Sequence, residues 1–203
     1  MTEYKPTVFL VDDDEAVRDS LGLLMKSVDL TSRSFASAGD FLAEYDPDSP
    51  GCLILDIRMP GMSGMELQQK LIDMRAKLPI IFITGHGDIP MAVEAMQRGA
   101  VDFIPKPFRD DELLDRINKA LENDRKNRDS LVEREVIEER IEKLTPREKQ
   151  VLELVVQGKA NKVIAGDLEV SQRTVEIHRA RGMEKMQVRS VAQLVRMVMR
   201  IQQ

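Results

Sequence analysis

A single cysteine in 203 residues excludes an internal disulfide. That residue, Cys52, sits in the apolar run Gly51-Cys52-Leu53-Ile54-Leu55, the setting of a buried strand residue rather than of a reactive thiol. No segment approaches the roughly 18–20 consecutive apolar residues that span a membrane. Residues 1–6 offer no basic stretch leading into an apolar one, so the sequence predicts a soluble, cytoplasmic chain with no membrane partner. Histidine is scarce, with His86 and His178 alone. A phosphohistidine relay or a histidine-based metal site therefore has nothing to build on, and both read as loop, packing or phosphate-facing residues. Internal repeats and low-complexity tracts are absent as well.

What is present divides unevenly. Residues 1–142 carry 18 Lys and Arg against 29 Asp and Glu, a net −11, whereas residues 143–203 carry 12 against 6, a net +6. A basic module joined to an acidic one predicts that only the second meets a polyanion. Along the acidic part, apolar runs at 8–11, 30–35, 52–55, 80–83 and 101–104 read as strands, and amphipathic segments after residues 15, 37, 63, 89 and 109 read as helices. Leu53-Ile54-Leu55 and Ile80-Ile81-Phe82-Ile83 are apolar on both faces, as strands of a covered parallel sheet must be. The expected fold is a doubly wound five-stranded α/β domain over residues 1–121.

From residue 110 to 142 the pattern stays helical without Pro or Gly and becomes strongly charged after Leu121. Residues 122–142 read as a solvated helical linker; the stripe Leu131, Val132, Val136, Ile137 and Ile141 could pair two chains, but it is not a clean heptad repeat. At 145 a new pattern starts, with Thr145 able to cap a helix and Pro146 suited to its first position. Three more helices, near 161–168, 172–187 and 190–200, complete an all-α domain over residues 143–203.

Ligands of parallel α/β sheets sit beyond the carboxyl ends of the strands, where the connection order reverses. The strands end in Asp12-Asp13-Asp14, in Asp56, in Thr84-Gly85 and in Pro105-Lys106-Pro107. Carboxylates, a hydroxyl and an ammonium thus converge on one edge. Clustered carboxylates call for a hard divalent cation, and Mg²⁺ takes one or two of them together with waters and a phosphate oxygen. Asp56 stands alone after an apolar strand, placed for nucleophilic attack on phosphorus; Asp12 and Asp13 suit the metal, while Asp14 reads as a helix cap.

The motifs Leu10-Val11-Asp12-Asp13-Asp14, Leu55-Asp56-Ile57-Arg58-Met59-Pro60-Gly61, Ile83-Thr84-Gly85-His86-Gly87-Asp88 and Phe103-Ile104-Pro105-Lys106-Pro107-Phe108 resemble those of response-regulator receiver domains. The resemblance implies that Asp56 accepts phosphate from a sensor histidine kinase and that Asp12, Asp13, Asp56 and the Arg58 backbone carbonyl hold Mg²⁺. It further implies that Thr84 bonds a phosphoryl oxygen, and that Lys106 pairs with the phosphoryl group, helped by a cis bond before Pro107. Phe103 stands where many receivers carry a switch tyrosine, without the hydroxyl. Receivers commonly dimerise through the fourth helix and fifth strand, so the resemblance implies an interface at 89–99.

In the basic tail, residues 161–168, a short turn, and residues 172–187 follow the helix-turn-helix layout, with Ser171 able to cap the second helix. Arg173, Arg179, Arg181 and Lys185, with Lys162 and His178, are candidates for phosphate contact. Thr174, Glu176, Ile177 and Ala180 lie on a face suited to base edges, and Val175, Met183 and Met186 face a core. Leu144-Thr145-Pro146-Arg147-Glu148, Asn161-Lys162, Thr174-Val175, His178-Arg179 and Lys185-Met186 resemble the LuxR-type four-helix domain. Receiver and tail together resemble the FixJ and NarL group, nearer FixJ through Gly85-His86-Gly87-Asp88-Ile89-Pro90-Met91. What this implies is a phosphorylation-driven homodimer that binds double-stranded DNA and activates transcription with RNA polymerase. Gly182 departs from the larger apolar residue usual in relatives, which predicts either a softer helix or a close neighbour.

Two other readings remain at this stage. A small-molecule phosphatase of the dehalogenase-like kind would carry a second aspartate two residues after Asp56, where Arg58 stands. A phosphate-independent interaction module would not need the acid, threonine and lysine set that is intact here.

Overall fold

The computed structural model describes residues 4–85 and 89–201. It separates into two compact units, Met1–Arg128 and Asp129–Gln203, each with its own core. The first contains β1 (Thr7–Val11), β2 (Thr31–Phe35), β3 (Gly51–Asp56), β4 (Ile80–Thr84) and β5 (Asp102–Pro105). They pair in parallel in the order β2-β1-β3-β4-β5. Between and after them run α1 (Glu15–Ser27), α2 (Ala38–Glu44), α3 (Gly64–Asp73), α4 (Ile89–Gln97) and the start of α5 (Asp110–Glu142).

The period of two along each strand divides the interior. Phe9, Val11, Leu53, Leu55 and Phe82 point to one side, where Phe41, Leu67, Leu71 and Ala95 cover them. Val8, Leu10, Cys52, Ile54, Ile81 and Ile83 point to the other, under Leu21, Met25, Leu113 and Ile117. Full burial of one such side chain contributes about 1.5–3 kcal/mol, which is why apolar runs on both faces commit these segments to central strands. The order of connections reverses between β1 and β3, so Asp12 and Asp56 follow the two strands that flank the crevice.

The second unit holds the end of α5 with α6 (Pro146–Val156), α7 (Asn161–Asp167), α8 (Gln172–Lys185) and α9 (Val191–Ile201). Thr145 caps α6 within a full capping box, its side chain taking the Glu148 amide while the Glu148 carboxylate takes the Thr145 amide. Val151, Leu152, Val155, Ile164, Val175, Met186 and Leu194 form the core. Gly182 is buried there, and a Cβ on it would lie 2.9 Å from Leu152 Cδ1 and 3.1 Å from Leu152 Cγ. Of the two expectations for this glycine, the close neighbour is the one observed.

Residues 122–142 are not uniformly solvated. Asp124 is buried in the first unit, where it accepts from the Gly51 amide at 3.0 Å, the Tyr4 hydroxyl at 3.1 Å and Arg128 Nε at 2.9 Å. Arg128 also donates to the Asp48 and Ser49 carbonyls at 2.8 and 2.7 Å. Ile137 is buried in the core of the second unit, while Val132 and Val136 are exposed. The charged composition of this stretch conceals buried positions that carry the packing. Among the described residues no helix is long and apolar enough to cross a membrane.

Candidate functional site

The carboxyl ends of four strands meet at one cluster. Asp12, one residue past β1, Asp56, the last of β3, and Thr84, the last of β4, are all buried. Lys106 follows β5, and its Nζ lies 2.6 Å from Asp12 Oδ2 and 2.9 Å from Asp56 Oδ1. Each carboxylate is further oriented by the backbone: Asp56 Oδ2 accepts from the Arg58 amide at 2.7 Å and Asp12 Oδ1 from the Asp14 amide at 2.9 Å. The Lys106 amide donates to the Thr84 carbonyl at 2.7 Å, which ties the two strand ends together, and the Lys106–Pro107 bond is cis. Asp14 caps α1 through the Ala16 amide, as its position implied.

Burial pushes the Asp56 carboxyl above the usual carboxylate range and the Asp12 charge adds to this, while Lys106 and the Arg58 amide oppose them. Burial also works against the charge on Lys106, but its hydrogen bonds to Asp12 and Asp56, with their charges, more than offset that and hold the ammonium above its ordinary value. One ammonium shared by two carboxylates leaves net negative charge at the crevice, and the exposed Asp13 adds more at its rim. The oxygen-only donor set of Asp12, Asp13, Asp56 and the Arg58 carbonyl suits a hard cation that needs only one or two carboxylates. Among the described residues no ready group of three or more His, Cys, Asp or Glu side chains is assembled around one point.

Phe103 is half-buried against the core that also holds Met91. His86, with Gly87 and Asp88, lies outside the described residues. Three contributors escaped the sequence reading. Arg18 on α1 donates to the Asp12 carbonyl at 2.8 Å. Gly64 opens α3 so close to β3 that a Cβ would stand 2.3 Å from the Asp56 carbonyl oxygen. Glu148 is buried in the second unit and receives Lys185 Nζ at 2.6 Å. A Ser or Thr followed three residues later by Glu occurs at Ser63 and at Thr145, where the sequence already placed helix starts, and the second occurrence is a signal that could have singled out Glu148.

In the basic unit, Ser171 caps α8 by accepting from the Thr174 amide at 3.0 Å. Arg173, Glu176, Ile177, Ala180 and Arg181 are all exposed, at the spacing of one helical stripe. Val175, Gly182 and Met186 are buried on the opposite side. The remaining candidates are partly committed within the domain. Thr174 Oγ1 lies 2.7 Å from Ser171 Oγ, Arg179 NH1 donates to Asn161 Oδ1 at 3.0 Å, and Lys185 pairs with Glu148. His178 is half-buried with Nδ1 unpartnered among the described residues, and Lys162 is exposed on α7.

Residues 8–118 match the response regulator receiver domain, and residues 142–198 match the bacterial regulatory proteins of the luxR family. Nodulation protein W of Bradyrhizobium diazoefficiens is 48% identical over 95% of this chain and 85% of its own. The transcriptional regulatory protein FixJ of Rhizobium meliloti is 47% identical over 98% of this chain and 97% of its own. The solved structure of the response regulator StyR, 47% identical, superposes with a TM-score of 0.86 over 96% of this chain and 98% of that one. Strand-end chemistry, capped helix-turn-helix and these matches agree that the protein belongs to the response regulators that join a receiver domain to a LuxR-type DNA-binding domain.

Proposed function

We propose that residues 1–121 act as a switch phosphorylated on Asp56 by a sensor histidine kinase, and that residues 143–203 bind double-stranded DNA, with 122–142 joining them. The observation that carries this reading is Lys106 Nζ, held between Asp12 and Asp56 beside the buried Thr84. An Asp56 oxygen attacks phosphorus of the phosphohistidine; the P–O bond forms, the P–N bond breaks, and its electron pair returns to the imidazole nitrogen, which takes up a proton. Lys106 pairs with the phosphoryl oxygens and the Thr84 hydroxyl donates to one of them. Asp12, Asp13, Asp56 and the Arg58 carbonyl would hold Mg²⁺, which neutralises charge on the transferred group. Attack of water on the acyl phosphate returns the Asp56 carboxylate and inorganic phosphate, so the switch resets itself.

The α4 face exposes Ile89, Val93 and Met96, a surface suited to pairing with a second receiver. Two DNA-binding domains so paired fit a roughly palindromic site in the cytoplasm, with Thr174, Glu176, Ile177 and Ala180 facing base edges in the major groove and Lys162, Arg173, His178, Arg179, Arg181 and Lys185 near its phosphates. Activation of transcription together with RNA polymerase is the output. The test is to add acetyl phosphate and Mg²⁺ and to measure mass, oligomeric state and DNA affinity for the natural protein and Asp56→Ala. One added phosphoryl group with dimer formation, absent from the variant, supports the switch. Equal DNA binding and no phosphoryl gain in either protein, with a kinase donor tried as well, would leave a phosphate-independent module.

A further inference from the structure

Gln68 is a polar residue where the packing has no need of one. It lies on α3 with 1% of its surface exposed, flanked in sequence by the core residue Leu67 and three residues before the core residue Leu71. Its Nε2 donates to the Ala95 carbonyl of α4 at 3.0 Å, and its Oε1 has no partner among the described residues. The same Ala95 carbonyl accepts from the Ala100 amide at 3.0 Å, in the turn that leads into β5. Gln68 therefore grips α4 at its C-terminal end. The opposite end of α4 starts at Ile89, a few positions after Thr84 in sequence, and carries the exposed Ile89 and Val93.

An apolar residue would fill this site without leaving a buried acceptor unsatisfied, and the Ala95 carbonyl would keep its bond to Ala100. Stability of this arrangement thus does not account for the glutamine. We propose that Gln68 is a positioning residue of the switch: Nε2 pins the C-terminal turn of α4 to α3, and the unpaired Oε1 weakens the resting arrangement. A change at Thr84 then tilts α4 about its fixed end rather than sliding the whole helix. The coupling part of this proposal rests on the phosphorylation-driven dimer above; the pin itself does not.

The experiment compares the full-length natural protein with Gln68→Leu and Gln68→Met. Hydrogen exchange without any phosphodonor reads the pin: exchange across residues 94–100 accelerates roughly fivefold or more in both variants, the size expected of one lost hydrogen bond, while α3 and β4 amides are unchanged. Thermal midpoints stay level or rise, because the orphaned acceptor is gone. With acetyl phosphate and Mg²⁺, both variants gain the phosphoryl group on Asp56, and the increase in dimer affinity it produces falls severalfold. Exchange at 94–100 equal to that of the natural protein in both variants overturns the pin. Faster exchange with an undiminished dimer gain overturns the coupling. A natural protein that takes no phosphoryl group refutes the proposed function instead, with the pin still judged by exchange alone.

Discussion

Gly64→Ala is a one-carbon change that reaches Asp56, the proposed phosphoacceptor, through the backbone. The added Cβ would stand 2.3 Å from the Asp56 carbonyl oxygen, 3.0 Å from Ile57 Cα and 3.1 Å from the Asp56 carbonyl carbon. Carbon contacts settle near 3.5–4 Å, so the two backbones must part by roughly 1 Å. Nothing there is the free end of a side chain. The Gly64 amide also donates to the Ile57 carbonyl at 2.9 Å, and the Ser63–Glu66 capping box fixes the helix start, so neither partner moves without breaking hydrogen bonds. Overpacking of this kind costs about 1–3 kcal/mol, a fall in Tm of roughly 5–15 °C at a few degrees per kcal/mol. The same displacement pulls Asp56 from Lys106 and the Arg58 amide, and misplacement by about 1 Å can slow a reaction on the order of 100-fold. The assay is thermal unfolding together with phosphorylation by acetyl phosphate followed by mass. Gly22→Ala in α1 is the control: nothing lies within 4 Å of its Cβ position, so the substitution gains up to ~1 kcal/mol of helix propensity. Gly64→Ala with an unchanged Tm and labelling rate would refute the reasoning.

Gly182→Ala in the DNA-binding domain gains up to ~1 kcal/mol of helix propensity but crowds Leu152, so its net effect is near zero. In a Leu152→Ala background, itself costing about 2–5 kcal/mol, the full gain returns; a double-mutant cycle by chemical denaturation without coupling contradicts this. Glu148 is held below its ordinary 4.5 by the Lys185 ammonium and the Thr145 amide. A depressed carboxyl stabilises the fold above its unfolded value and loses that contribution as pH falls through the folded one. Glu148→Gln therefore destabilises at pH 7 and converges with the natural protein under acid, as denaturation at several pH values would show. Asp124→Ala leaves the buried Gly51 amide without its acceptor and Arg128 with only the Asp48 and Ser49 carbonyls; a loss of about 2–3 kcal/mol is expected in urea titrations, against under 1 kcal/mol for a surface pair. Arg181→Ala weakens DNA binding evenly across sequences and lowers the salt slope by about 1, whereas Lys185→Ala chiefly lowers Tm because it leaves Glu148 buried without its partner.

How much the sequence revealed depended on whether a signal was local. Each receiver strand was bounded to within one residue because its apolar run ended in a polar or turn residue, and the functional groups occupied those same ends. Asp12, Asp56, Thr84 and Lys106 needed only the rule that strand ends share an edge. Gln68 and Asp124 were not legible, since a polar residue on a helix surface looks solvated until the opposing element is placed. Asp124 finds its partners at Tyr4 and Gly51, more than 70 positions away. The helix-turn-helix face was half legible: helical spacing placed Glu176, Ile177 and Ala180 on an exposed face, but not that Thr174 would be drawn to Ser171, Arg179 to Asn161 and Lys185 to Glu148.

The arrangement around Lys106 explains how one covalent change could act at two strand ends. Its ammonium is shared between Asp12 and Asp56, while its own amide is bonded to the Thr84 carbonyl. Under the phosphoacceptor reading, phosphorylating one Asp56 oxygen removes an acceptor from Lys106 and places three stronger ones beyond it. The ammonium then exchanges its place between two carboxylates for one against the phosphoryl group. Thr84 is drawn toward the same oxygens from the neighbouring strand, and the Lys106–Thr84 backbone bond prevents the two from responding independently. Lys106→Met would keep the length of the side chain and remove the charge. It should therefore disturb Thr84 and α4 even where Asp56 still accepts phosphate, and exchange rates on α4 that respond normally to acetyl phosphate in this variant would show that Thr84 acts alone.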